Sequence, residues 1–217
     1  MSAFRLSLLG LLGLAAPLAA QSREAYQGGK RPALPRAWEI ALARSAAPSE
    51  ITAQATVLVL TDTGYAVAER GSNGVTCYVG RGWPESIEPH CFDEEGAATI
   101  LPMALRRAAL RQQGKTHEEI EADIAEGLAS GRFRLPRRPA MSYMMSGAQV
   151  LYNDEGKRVG AWRPHLMIYY PWISGSDMGI PKPDLRTAVI VDEGTPVANI
   201  MIVVRDFIQP DSSAMPR

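Results

Sequence analysis

Residues 140–172, AMSYMMSGAQVLYNDEGKRVGAWRPHLMIYYPW, constrain the fold more than any other part of this chain. In an extended segment successive side chains point to opposite faces. Met141, Tyr143 and Met145 therefore fall on one side, and Ser142, Met144 and Ser146 on the other. A second run, 148–152, leads into Asn153-Asp154-Glu155-Gly156, residues that turn a chain at little cost, and predicts a hairpin. A third run, 165–172, places His165, Met167 and Tyr169 on one face and Leu166, Ile168 and Tyr170 on the other. Both faces are apolar enough to be covered, as in a central strand. Pro164 and Pro171 cannot donate to a ladder and mark its ends.

The rest of the chain supplies partners for these strands. Trp38, Ile40, Ala41 and Leu42 give a short helical pattern over 37–47, stopped by Pro48. The β-branched run 55–60 turns at 61–64 and resumes at 65–69. Gly71-Ser72-Asn73-Gly74 is a strong turn signal before a strand at 75–79, so three antiparallel strands are expected. Residues 81–94, with Pro84 and Pro89, read as a loop. Helical spacing of Ile100, Leu101, Leu105, Ala108 and Leu110 predicts a helix over 95–113. Thr116 and Glu119 form a capping box that opens a second helix, with Ile120, Ile124 and Leu128 inward and Gly131 at its end. Residues 173–186 have no periodicity and read as a covering loop or a further strand. The last strands fall at 187–191 and 196–204. Strands, then two helices, then strands argue a single α+β domain with a mainly antiparallel sheet and two consecutive helices inserted between its segments.

Residues 1–20 combine Arg5, an apolar core at 6–16 and small residues Ala19 and Ala20 before Gln21, the pattern of a cleavable signal peptide. The core is shorter than the roughly 20 apolar residues a spanning helix needs. No transmembrane segment is expected after cleavage, and the location is periplasmic or secreted. The Gly- and Pro-rich stretch 21–36 reads as a flexible leader, 37–208 as the domain, and 209–217 as a disordered polar tail. Twenty-three basic residues balance 23 acidic ones, and loss of Arg5 with the signal peptide leaves a net charge of −1. That balance argues against nucleic acid as a partner.

Cys77 and Cys91 are the only cysteines, and in an exported chain an isolated pair is expected to form a disulfide. A metal site from Cys77, His90 and Cys91 has neither the usual spacing nor a fourth ligand. His165 and Met167 lie two apart on one strand face and cannot straddle a haem iron or copper, so neither metal nor other cofactor is expected. Gly114-Lys115-Thr116 ends like a phosphate loop, but its first glycine would be Ala109.

Two readings of chemistry follow. Tyr143, Trp162, His165 and Tyr169 make an aromatic surface with a polar group, suited to a small-molecule or glycan ligand. Ser142 or Ser146 beside His165 would instead be a nucleophile and base for hydrolysis, with Glu88, Asp93, Asp177 or Asp206 behind the imidazole. Neither G-x-S-x-G nor S-x-x-K surrounds either serine. The run Arg132, Arg134, Arg137 and Arg138 reads as a solvated linker, with an anionic glycan or lipid surface as its alternative partner. The blocks IALARSAAP (40–48), GSNGVTCYV (71–79), AMSYMMS (140–146) and RPHLMIYYP (163–171) resemble a family of uncharacterised exported bacterial proteins in which similar blocks recur in similar order. The resemblance implies a single exported domain and transfers no catalytic role. The favoured reading is an exported binding domain, with the hydrolase as its alternative.

Overall fold

The computed structural model describes residues 33–83, 85–153, 157–180 and 186–216. The expected signal peptide, most of the leader and residues 154–156 of the hairpin turn lie outside the described residues. Helix α1 (Arg36–Arg44) and the single turn α2 (Ser49–Thr52) come first. They lead into strands β1 (Thr56–Thr61), β2 (Gly64–Glu69), β3 (Thr76–Gly80) and β4 (Glu88–Phe92). Helices α3 (Glu94–Gln112) and α4 (His117–Ala129) follow. The second half holds β5 (Ala140–Met144), β6 (Leu151–Tyr152), β7 (Arg158–Gly160), β8 (His165–Tyr169), β9 (Val189–Val191) and β10 (Asn199–Val203). Eight strands form one sheet in the order β2-β1-β3-β4-β5-β8-β10-β9, while β6 and β7 make a separate ribbon. The chain is thus a single α+β domain with two consecutive helices between sheet segments. The strands read from alternation, β5 and β8, lie side by side near its centre.

The capping box that opens α4 is complete: Thr116 Oγ1 accepts from the Glu119 amide and Glu119 Oε2 accepts from the Thr116 amide. Asp93 caps α3 in the same way, accepting from the Gly96 amide at 2.7 Å, and also takes the Met141 amide, which ties the helix start to β5.

Two expectations are corrected. β3 does not continue an antiparallel meander; it pairs parallel to β1 through Thr56 with Thr76 and Val57 with Cys77. After β2 the chain passes across the start of β1, where the Ser72 amide donates to the Gln54 carbonyl and the Gly71 amide to Thr56 Oγ1. A Cβ on Gly71 would run into the backbone of residues 54–56, so this crossing requires a glycine. The second correction concerns 81–94, read as a loop. Its last part is β4, paired antiparallel with β3 on one side and β5 on the other. Pro89 masks the strand in the sequence because it forfeits one ladder donor. At the far end, residues 209–216 are described: a 3-10 turn, Ser212–Ala214, packs near α1, and the Ile208 amide bonds to the Met145 carbonyl.

Alternation along these strands divides the core in two. One face meets α1 and buries Leu42, Ala43, Ala46, Val57, Cys77, Val79 and Cys91. The other meets α3 and α4 and buries Tyr78, Phe92, Ile100, Met103, Ile124, Ala140 and Tyr169. Cys77 and Cys91 are direct cross-strand neighbours and form a disulfide beneath α1. Closing a loop of that length stabilises by about 3 kcal/mol in the chain-entropy account. Both thiols are consumed by it, which leaves neither for a metal.

Candidate functional site

Helices α3 and α4 are joined to each other by charge. Arg106 makes a two-pronged contact with Asp123 (2.9 and 2.6 Å), and Arg107 makes another with Glu121 (2.8 and 2.9 Å). The Arg106 guanidinium holds the Asp123 carboxyl down at about 2, and Arg107 holds Glu121 low in the same sense. A cavity of about 760 Å³ remains between the two helices and strands β3, β4, β8 and β10.

Its floor is aromatic because these strands present large rings on the phase opposite the disulfide. Tyr78 and His90, direct partners across β3 and β4, stack with centroids 5.9 Å apart. His90 meets Phe92 at 5.4 Å, and Phe92 meets Tyr169 of β8 at 6.3 Å. Ile100, Ala104 and Ala108 from α3 and Ile124 and Leu128 from α4 form the roof. Trp83, Tyr152 and Thr195 lie at the rim. The Arg111 guanidinium lies over the Trp83 ring, 5.0 Å from its centroid, and the Tyr152 hydroxyl donates to Glu85 at 2.6 Å.

Polar groups at this floor are incompletely satisfied. Neither ring nitrogen of His90 has a hydrogen-bond partner, nor does Asn199 Oδ1, although all three atoms are buried. Burial, with His165 on the same face, drops the His90 imidazole to about 3, so it is neutral at any physiological pH. Burial also pushes the Tyr169 hydroxyl up to about 12, against a hydrogen bond with Ser142, and the Met167 sulfur lies 3.8 Å away. Buried polar atoms normally find partners, so a cluster of exceptions beside a cavity marks a place to look for a ligand.

Of the residues expected at a ligand site, Tyr169 lines this cavity and the other three lie elsewhere. Tyr143 projects from the opposite face and packs with the α1 cluster. Trp162 is 48% exposed and stands against His165 at the far end of β8. His165 is buried, with Nδ1 2.7 Å from the Arg163 carbonyl, and burial lowers its basicity.

The two serines are placed differently. Ser146 sits in the α1 layer, where its hydroxyl meets Ser45 Oγ at 2.7 Å and accepts from the Ala148 amide. The sheet separates it from His165. Ser142 does share the His165 face; it pairs with Met167 while Met144 pairs with His165, a diagonal relation. Its buried hydroxyl interacts with the Tyr169 hydroxyl outside good hydrogen-bond geometry, and no bond joins it to His165. Among the proposed third members, Asp93 caps α3, Asp177 accepts from Ser174, and Glu88 lines the cavity. Asp206 is exposed.

The arginine run is tied down internally. Arg132 bonds Asp123 and Glu126, and Arg138 bonds Glu94 and Glu95. Among the described residues no cluster of three or more His, Cys, Asp or Glu side chains is placed to hold a metal, and no helix is long and apolar enough to cross a membrane.

These features define an α+β domain whose sheet carries a sealed, disulfide-braced face and a hollow aromatic one. No family model, curated protein or solved structure matches the chain.

Sequence reasoning missed Tyr78, His90 and Phe92. The signal was present: once Cys77 and Cys91 are paired across two strands, residues 78, 90 and 92 must share the opposite face.

Proposed function

We propose that this chain is an exported small-ligand-binding domain and that its site is the cavity between α3–α4 and the sheet. The observation that carries the reading is an aromatic floor holding buried polar groups without partners. The volume falls within the range of small-molecule sites, and a mostly apolar wall with a few polar groups is their usual make-up. Export is supported by the signal-like residues 1–20 and by the disulfide, which persists in oxidising compartments. Binding is favoured over hydrolysis because His165 Nδ1 faces a backbone carbonyl at 2.7 Å and neither serine hydroxyl bonds to the ring.

The test is a thermal-shift screen of neutral, anionic, cationic and glycan fragments against the wild-type chain and Ala125→Trp. Ala125 is exposed at the cavity wall, so a tryptophan there obstructs the opening without disturbing the core. Fragments should raise the melting temperature of the wild type and lose that effect in the variant. A screen with no hits, or hits indifferent to Ala125→Trp, would remove the reading.

A further inference from the structure

Towards the start of β8 the same face of the sheet collects soft donors. His165 has Met144 of β5 as its direct cross-strand partner, and Met167 has Ser142, so Met144, His165 and Met167 share one face. Directly opposed side chains leave the sheet about 5 Å apart, and side chains two along a strand about 7 Å apart. The three therefore make a triangle whose long arms can meet above it. His165 and Met167 alone, two apart on one strand, cannot straddle a metal; the sheet supplies the third corner from β5. The imidazole is already set for ligation. The Arg163 carbonyl, 2.7 Å from Nδ1, can only accept, so the proton sits on Nδ1 and Nε2 carries the lone pair. Metal-bound histidines are oriented in this way, their other nitrogen donating to a carbonyl or carboxylate. The Met167 sulfur meets the Tyr169 hydroxyl at 3.8 Å, a weak contact that three rotatable side-chain bonds allow it to leave.

From these placements the geometry points to a copper(I) site whose ligands are His165 Nε2 and the sulfurs of Met144 and Met167. Thioether sulfur is soft and uncharged, which selects copper(I); magnesium and calcium take oxygen donors, and zinc takes thiolate, imidazole or carboxylate. Cys77 and Cys91 are spent on the disulfide, so methionine is the soft donor this chain has left. Of the three ligands Met167 alone also lines the cavity, and the metal does not depend on the cavity's holding a ligand. Trp162, 48% exposed, has its ring 6.0 Å from that of His165 and stands between the ligand imidazole and solvent as a reporter of occupancy.

Silver(I), an air-stable stand-in of the same charge and ligand preference, is the first probe, titrated into the wild-type chain in chloride-free buffer at pH 7. One equivalent should bind and quench tryptophan emission, and Trp162→Phe should remove most of the quenching without changing the stoichiometry. Copper(I), presented anaerobically as its bathocuproine disulfonate complex, should be taken up in the same amount, and equimolar zinc(II) should not displace it. Met144→Leu and Met167→Leu conserve side-chain volume. Each should weaken silver binding by about tenfold or more, since losing a ligand costs at least as much as losing a group behind one. Met141→Leu, on the opposite face where Met141 pairs with Ile168, should leave the affinity as it was. His165→Gln should abolish binding; if that variant does not fold, the two methionine variants still decide. No stoichiometric binding by the wild type, displacement by zinc, or unchanged affinity in both Met144→Leu and Met167→Leu would overturn the site. Quenching that survives Trp162→Phe, or affinity lost in Met141→Leu, would overturn its location.

Discussion

Toward α1 the sheet presents Val57, Cys77, Val79 and Cys91, small or β-branched side chains that let a helix bearing Ala43 lie close. Toward α3 and α4 the same strands present Tyr78, His90 and Phe92, large rings that pack with Ile100, Met103 and Ile124 and leave a cavity beside them. On the first face Ser45 bonds Ser146 and Glu39 accepts from the Leu60 amide. On the second, both ring nitrogens of His90 and Asn199 Oδ1 are buried without a hydrogen-bond partner. One residue of phase along a strand separates the two regimes, and the contrast teaches that the two sides of one element can be packed in different ways.

The largest effect expected from breaking this contrast is at the disulfide. Cys77→Ala with Cys91→Ala should cost about 3 kcal/mol in denaturant unfolding. A loss under about 1 kcal/mol would mean that the α1 face does not hold the fold.

Next comes the acid response of the hollow face. In the unfolded chain the His90 imidazole takes up a proton as the pH falls through 6.5; in the fold it stays neutral down to about 3. The unfolded state thus holds the extra proton in that window, and stability declines as the pH drops, by about 1.4 kcal/mol per pH unit for one such group. His165, also lowered by burial, acts in the same direction. His90→Phe should remove one proton's worth of slope between pH 6 and 4. An unchanged slope would show that His90 is not held neutral.

Smaller, and more discriminating, is the comparison of two serines four residues apart. Ser146→Ala breaks two hydrogen bonds in the α1 layer and should cost about 1–2 kcal/mol. Ser142→Ala removes a buried hydroxyl that meets only the Tyr169 hydroxyl, in poor hydrogen-bond geometry, and should cost under about 0.5 kcal/mol. Equal costs would show that the polar accounting of the two faces is the same. The smallest effect belongs to the roof: Arg107→Gln should lower stability by under about 1 kcal/mol at low salt and by less at high salt, since the pair is partly exposed.

Much of the architecture could be read from residue order. Alternation located β5 and β8, the Thr116–Glu119 box located α4, and the export pattern made the Cys77–Cys91 pairing the natural expectation. Two things were hidden. The parallel placement of β3 depends on which side of β1 the chain passes after Gly71, a tertiary choice that a turn motif does not encode. β4 was disguised by Pro89, and with it went the floor of the cavity. The candidate site was therefore legible only in part: Tyr169 was anticipated, whereas Tyr143 was grouped with it because its register against β8, where it pairs with Leu166, was unknown.

Glu39 carries one further consequence. Past Val57 and Cys77 the ladder between β1 and β3 ends, and the Leu60 amide is met by the Glu39 carboxylate at 2.8 Å, with the Arg81 charge also favouring its ionised form. Burial works against that ionised form and raises its affinity for a proton. On that side the β1–β2 hairpin is thus held at Leu60 by a side chain in place of a neighbouring strand. Its outer amides should be the first in the sheet to trade hydrogen with deuterated water, and Glu39→Gln should quicken that trade there while leaving β5 and β8 at their original pace.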